Sequence, residues 1–146
     1  MEKEHFGYKD VGYKFVTKGR YVTPTEVSLF CDVTDTREDI FLRDDTAREY
    51  GLKGAVLPAL LIFAKLMSGL MEAGLTLEGL FVGINNAEFM TPVHPYDRIR
   101  GEGEVLEKKV TAKGDRVMVR YAWQVRNEND VIVARGENHC MFPNPR

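Results

Sequence analysis

Between Asp115 and Arg126 hydrophobic and polar residues alternate. Val117, Val119, Tyr121, Trp123 and Val125 share one side, and Arg116, Arg120, Gln124 and Arg126 the other. Period two over that length predicts a half-buried antiparallel strand. The preceding segment repeats the pattern, with Ile99, Gly101, Gly103 and Val105 against Arg98, Arg100, Glu102 and Glu104. The following one puts Ile132, Ala134, Gly136, Cys140 and Phe142 on its inner side. Turn formers separate the three, at Lys113-Gly114-Asp115 and at Asn127-Glu128-Asn129-Asp130. A further strand is predicted from about Phe81 to Met90, and a first one within Val11 to Val22, turning at Lys18-Gly19.

Helical signals lie between that first strand and the other four. Thr23 suits an N-cap, Pro24 the first helical position, and Glu26 completes a capping box, predicting a helix to about Cys31 or Asp32. A polar stretch from Thr34 to Asp39 has no periodicity. Ile40-Phe41-Leu42 leads from it into a second short helix around Asp44 to Tyr50, stopped by Gly51. Pro58 opens the one long helix, ending near Gly74, and PALLIFAKLMSGLMEAG is apolar on nearly all sides. Only Lys65, Ser68, Gly69 and Glu72 form a narrow weak stripe at helical spacing.

A helix this apolar must be wrapped. Its length, about 24 Å at ~1.5 Å per residue, is comparable to a strand of roughly seven residues. Strand, buried helix, then four antiparallel strands is the order of an α+β hot-dog fold, a curved sheet around one central helix, here as a single domain over residues 1–146. One helix covers one face and leaves long exposed sheet edges. Pairing two sheets edge to edge removes that liability, so a homodimer or a dimer of dimers is expected.

Composition narrows the class. A length of 146 residues suits one domain, and 44% hydrophobic with 29% charged residues is a globular balance. A net charge of -2 leaves no footprint for a nucleic-acid backbone or an anionic membrane. The longest apolar stretch, Ala55 to Leu70, is broken by Lys65 and Ser68 and is too short to span a bilayer comfortably. The opening MEKEHFGYKD lacks the apolar core of an export signal, so a cytoplasmic location is expected. Cys31 and Cys140 lack metal-ligand spacing and are expected to be buried, reduced thiols.

Most catalytic templates are absent: no GxSxG elbow, no phosphate-binding GxxxxGK[ST], no HExxH and no dinucleotide fingerprint. GEGEVL at Gly101 reads as a bulge or a close-packing spot. His94, in the loop PVHPYD, reads as packing against Tyr96, His139 as outward-facing on the last strand, and His5 as part of a mobile terminus. No histidines pair at metal spacing, so neither metal nor cofactor is expected. The polar loop carries Asp35, Glu38 and Asp39 to the mouth of the long helix. That helix start, Leu57 to Leu60, presents free N–H groups and a positive dipole end suited to polarising a thioester carbonyl. Pro58 has no N–H, so the donor is Ala59 or a neighbour. Equally, the acidic residues could be solvated or cap the next helix, as Asp44 is placed to do.

From Tyr21 to Phe142 the chain resembles the MaoC-like dehydratases, which include the (R)-specific enoyl-CoA hydratases. VTPTEVSLFCDVTD is similar to the family's helix leading into its Gly-Asp, and IFLRDDTAREYGLKGAVLPALL to the stretch ending at the central helix. FMTPVHPYDRIRGEGEVLEKK is similar to the strand after a Pro-Val-x-x-Gly-Asp turn, with Tyr96 where glycine is common, and NENDVIVARGENHCMF to the closing strand. The family's active motif is Gly-Asp-x-Asn-Pro-x-His, whose Asp and His hold the water. Here Thr34-Asp35 stands at Gly-Asp, the following stretch is one residue longer, and Phe41 stands at the histidine.

The resemblance implies a hydratase or dehydratase of an acyl-CoA or acyl-carrier thioester in fatty acid metabolism. Asp35 would be the base, with Asp39 or Glu38 assisting. The Ala59 N–H would be the oxyanion donor, and Phe41, Leu57 and Pro58 would line the substrate. Losing one positioned acid–base group typically costs roughly 10²–10⁴ in rate. Two alternatives therefore stand beside it: a thioesterase of the same fold, and a non-catalytic acyl-thioester-binding subunit.

Overall fold

The computed structural model describes residues 4–145. A 3-10 helix at Phe6–Tyr8 precedes β1 (Lys14–Val16), α1 (Pro24–Thr34), α2 (Asp39–Leu42), α3 (Asp44–Glu49) and the long α4 (Ala59–Glu72). β2 (Leu80–Phe89), β3 (Ile99–Val110), β4 (Arg116–Asn127) and β5 (Ile132–Pro143) follow. The strands form one antiparallel sheet in the order β1-β3-β4-β5-β2, the expected hot-dog architecture.

β4 sits at the centre of the sheet, and its five alternating apolar side chains are all buried. They share the core with Leu61, Ile62, Leu66 and Leu70 of α4. Each such side chain contributes about 1.5–3 kcal/mol by leaving water. The glycines of β3 set how close the layers come. A Cβ on Gly101 would collide with Leu66, and one on Gly103 would meet the Ala122 carbonyl and the Phe15 ring. GEGEVL is thus a close-packing spot that ends in a bulge at Leu106, between Val105 and Glu107.

The narrow stripe on α4 is where the helix meets its other neighbours. Lys65 Nζ donates to Glu26 of α1 at 2.5 Å, Arg20 donates to Ser68 at 2.9 Å and pairs with Glu72, and Gly69 is buried against Thr17. The remaining side is open: Leu60 is 67% and Met71 57% exposed.

The N-terminal segment differs from expectation. Only Lys14–Val16 joins the sheet as a strand, with one isolated bridge from Arg20 to Ile99. Between them the Thr17 N–H still donates to the Gly101 carbonyl at 2.7 Å, while its hydroxyl, in place of a backbone carbonyl, accepts the Gly101 N–H at 2.7 Å. His5 is not in a loose terminus. It is buried as the N-cap of the 3-10 helix. α1 has its capping box and runs to Thr34, and α2 is a single turn too short to show a period. In β5, Val133 enters the core at a bulge opposite Val125 and Arg126, and the buried inner-face residues include Asn138.

The outer face is charged. Arg126 pairs with Glu102, Arg120 with Glu107 and Glu137, and Arg135 with Glu88, each across neighbouring strands. The edge strand β2 is open along its length, with no buried residue. Phe81, Ile84 and Phe89 pair with the inward positions Cys140, Asn138 and Ala134 of β5, yet stay 47%, 39% and 38% exposed. α4 reaches Phe81 only edge-on, through Phe63 at 6.0 Å, and leaves much of this face open.

Candidate functional site

The start of α4 is built by its approach segment. The Leu57 N–H donates to the Val93 carbonyl at 2.8 Å and the Val56 N–H to the Ile40 carbonyl at 3.2 Å, fixing the chain just before Pro58. Pro58 has φ -56, pre-set for a helix start, and no side chain caps the helix. Among the described residues the N–H groups of Ala59 and Leu60 have no partner. They carry the positive end of a 14-residue helix.

That end opens on a groove of about 240 Å³ lined by Leu57, Ala59, Ile62, Phe89, Met90 and their neighbours Leu52, Val56, Thr91, Pro92 and Val93. Thr91 is its one polar side chain. The groove can hold an acyl chain and offer hydrogen bonds to a carbonyl oxygen, but it contains no titratable group. Acid–base chemistry must come from side chains outside its walls.

The other residues singled out from the sequence lie on α1, α2 and their connection. Asp35 caps α1 in a left-handed conformation (φ 56), and its N–H donates to the Cys31 carbonyl. Aspartate tolerates that geometry better than most residues. Its carboxylate is exposed and has no hydrogen-bond partner among the described residues. Glu38 and Asp39 are the N-cap and first residue of α2, both exposed. Phe41 is half-buried and packs against the hydrophobic core. Thus Leu57 and Ala59 line the groove, while Asp35, Asp39, Phe41 and Pro58 do not. The Ile40–Val56 hydrogen bond is what joins the two sets.

A larger hollow of about 740 Å³ borders the groove, and Leu52, Thr91 and Pro92 line both. His94 lines it, and the reading of this side chain from the sequence is corrected. Its Nδ1 donates to the Ala55 carbonyl at 3.0 Å and its backbone N–H to Asp97 at 2.9 Å, whereas Tyr96 leans on Tyr21 at 5.7 Å. Because a carbonyl only accepts, the proton of the neutral ring sits on Nδ1 and Nε2 is bare. Asp44, expected as a cap, instead accepts the Ala55 N–H at 2.8 Å. The flanking prolines were the only local signal that this loop is held so firmly.

His139 faces outward and shares a 2.7 Å hydrogen bond with Asn85 of β2. Among the described residues no three His, Cys, Asp or Glu side chains gather as metal ligands. Cys31 and Cys140 are buried and unpaired. Burial, with Tyr121 opposing it, pushes the Cys140 thiol up, away from a reactive thiolate. No helix among the described residues is long and apolar enough to cross a membrane.

No family model matches the chain, and no curated protein does. Solved structures do match. An (R)-hydratase from A. caviae involved in PHA biosynthesis superposes with a TM-score of 0.79 at 20% identity, covering 93% of this chain and 98% of that one. R-hydratase PhaJ1 from Pseudomonas aeruginosa gives 0.78 at 26% identity, over 95% of this chain and 85% of that one. A MaoC-like dehydratase from Rhodospirillum rubrum gives 0.81 at 22% identity, over 94% and 96%. The chain shares the hot-dog fold of MaoC-like dehydratases and (R)-hydratases.

Proposed function

We propose that this protein is a hydro-lyase acting on α,β-unsaturated acyl thioesters, carried by CoA or an acyl carrier in the cytoplasm. The observation behind this reading is the uncapped start of α4 at Ala59, opening on an apolar groove. The acyl chain lies along Ile62, Phe89 and Met90, and the thioester carbonyl accepts the Ala59 N–H. A base, for which Asp35 is the candidate, takes a proton from water as the oxygen bonds to Cβ. The double-bond electrons move onto the thioester oxygen, where the helix end stabilises them. Return of a proton to Cα completes the addition, and the reverse sequence is dehydration.

The uncovered apolar side of β2, together with Leu60 and Met71 of α4, supports assembly with a second copy along that edge. The position of Phe41 favours a second reading, in which the protein binds acyl thioesters without turning them over. Assaying purified protein against enoyl-CoA substrates of graded length, by loss of the conjugated double bond, separates the two. Turnover that disappears in Asp35→Asn, with folding and assembly unchanged, supports the hydro-lyase and its base. Unchanged turnover in that variant removes Asp35 from the mechanism. Thiol release without hydration would make the protein a thioesterase, and binding without either signal leaves a carrier subunit.

A further inference from the structure

The opposite end of α4 is closed by residues 5–9. Phe6 is fully buried, its ring centroid 4.4 Å from that of Tyr121, and its N–H donates to the Leu75 carbonyl just beyond α4 at 2.8 Å. Lys108 of β3 donates to the carbonyls of Gly7 and Lys9 at 2.8 and 2.7 Å. Within the turn the Tyr8 and Lys9 N–H groups donate to the His5 and Phe6 carbonyls at 2.9 and 3.0 Å, and one imidazole takes the N–H left between them. The Gly7 N–H donates to His5 Nδ1 at 3.0 Å, and the ring is stacked on Phe142 at 4.9 Å and tilted against Tyr8 at 4.7 Å. His5 is 4% exposed.

An acceptor at Nδ1 must be unprotonated, so the neutral ring carries its hydrogen on Nε2, 3.6 Å from the Glu78 carboxylate. A second proton can add only at Nδ1. There it turns the acceptor into a donor facing another donor, and it places a charge where water hardly reaches. The charged groups nearby do not compensate. The Glu78 side chain is 70% exposed, Glu4 is engaged with Lys9 at 3.6 Å, and Lys108 brings a positive charge to the same turn. Retreat is blocked too, since Gly7 lies so close that even a Cβ there would stand 2.6 Å from the ring.

We propose that residues 5–9 form a proton-released clasp, in which protonation of His5 Nδ1 expels the Gly7 N–H and frees Phe6 from the core while the rest of the sheet stays folded. Burial holds the His5 imidazole below its ordinary 6.5, against Glu78 and Glu4 and reinforced by Lys108, so opening belongs to the acid side of that value. The unfolded or released segment binds the proton first as pH falls. The clasp is therefore fully closed above 6.5 and progressively lost below it.

The test is amide hydrogen exchange of Phe6, Gly7 and Tyr8 from pH 8 to 5, corrected for intrinsic rates. In the parent, protection should fall by up to about tenfold per pH unit over the acid part of that range, as uptake of one proton requires. β4 amides should stay protected. His5→Asn keeps a side-chain oxygen that can accept the Gly7 N–H but cannot titrate in this range. Its protection should not vary with pH. The same fall in His5→Asn, or a flat profile in the parent, overturns the proposal. So does an imidazole titration of His5, followed by NMR in the parent, whose midpoint fails to coincide with the loss of Gly7 protection.

Discussion

Trp123 donates its indole N–H to the Oδ1 of Asn138 at 2.8 Å, from one central strand to the next inside a sealed core. The same amide donates from Nδ2 to the Tyr121 hydroxyl at 3.0 Å and toward Met67 Sδ of α4 at 3.5 Å. One short polar side chain thus satisfies the polar ends of both large aromatics of β4. Burial pushes the Tyr121 hydroxyl well above its ordinary range, so the phenol stays neutral, and Asn138 serves it as a donor.

Replacing Asn138 by leucine would leave the indole N–H and the phenol without that partner in a dry interior. Each orphaned group costs roughly 1–3 kcal/mol. Chemical denaturation should show a loss of about 2–4 kcal/mol, with an unchanged dependence on denaturant. A loss below about 1 kcal/mol would mean that other groups take over the amide's role.

Phe41→His restores an imidazole where the resemblance expects one. The side chain is half-buried, so a cost of about 1–2 kcal/mol is expected from lost packing. If Asp35 and the Ala59 N–H form a competent pair, hydration of an enoyl-CoA should rise by roughly 10²-fold or more. No rise would show that this loop has been rebuilt beyond a single residue.

Ile62 is buried and lines the groove. Ile62→Val removes one methyl group at a stability cost of about 0.5–1.5 kcal/mol. Preference should shift toward an acyl chain longer by one carbon, on the order of tenfold in relative kcat/KM. An unchanged preference would place the acyl chain elsewhere.

The Glu26 carboxyl is held below its ordinary 4.5 by the hydrogen bond from Lys65, with burial opposing the shift and the Thr23 N–H and hydroxyl adding to it. A carboxyl more acidic in the folded protein adds stability above 4.5 that disappears as pH falls through the folded value. Lys65→Met should therefore flatten the acid limb of the stability profile between about pH 5 and 3, measured by thermal melts, and converge with the parent at its acid end. The pair is partly solvated, so the difference at neutral pH should be about 1 kcal/mol or less.

Legibility in the sequence followed the length of the repeating pattern. The twelve-residue alternation of β4 and the long apolar run of α4 are each sufficient to place an element, and both lie where their periods put them. The capping box of α1 is local chemistry and equally readable. Residues 5–17 are different. They are held by contacts to partners about 70 to 140 positions away, such as Leu75, Gly101, Lys108 and Phe142, and no window of sequence contains those partners. Asn138 was hidden for another reason. A polar letter at an inward position looks like an interruption until Trp123 and Tyr121 are seen to need it. At the groove, Leu57 and Ala59 follow from Pro58 as a helix start. The carboxylates depend on how an irregular loop bends, as the left-handed Asp35 illustrates.

The crossed ion pairs on the outer face have a consequence for growth. A surface on which Arg126, Arg120 and Arg135 are each matched to a carboxylate one strand away offers a flat neighbour no unmatched charge at those positions. Stacking layer upon layer, the route by which sheets thicken into fibres, would strip water from every one of those pairs. Lateral extension along a single rim involves none of that desolvation, and a twofold axis there would end it after one step.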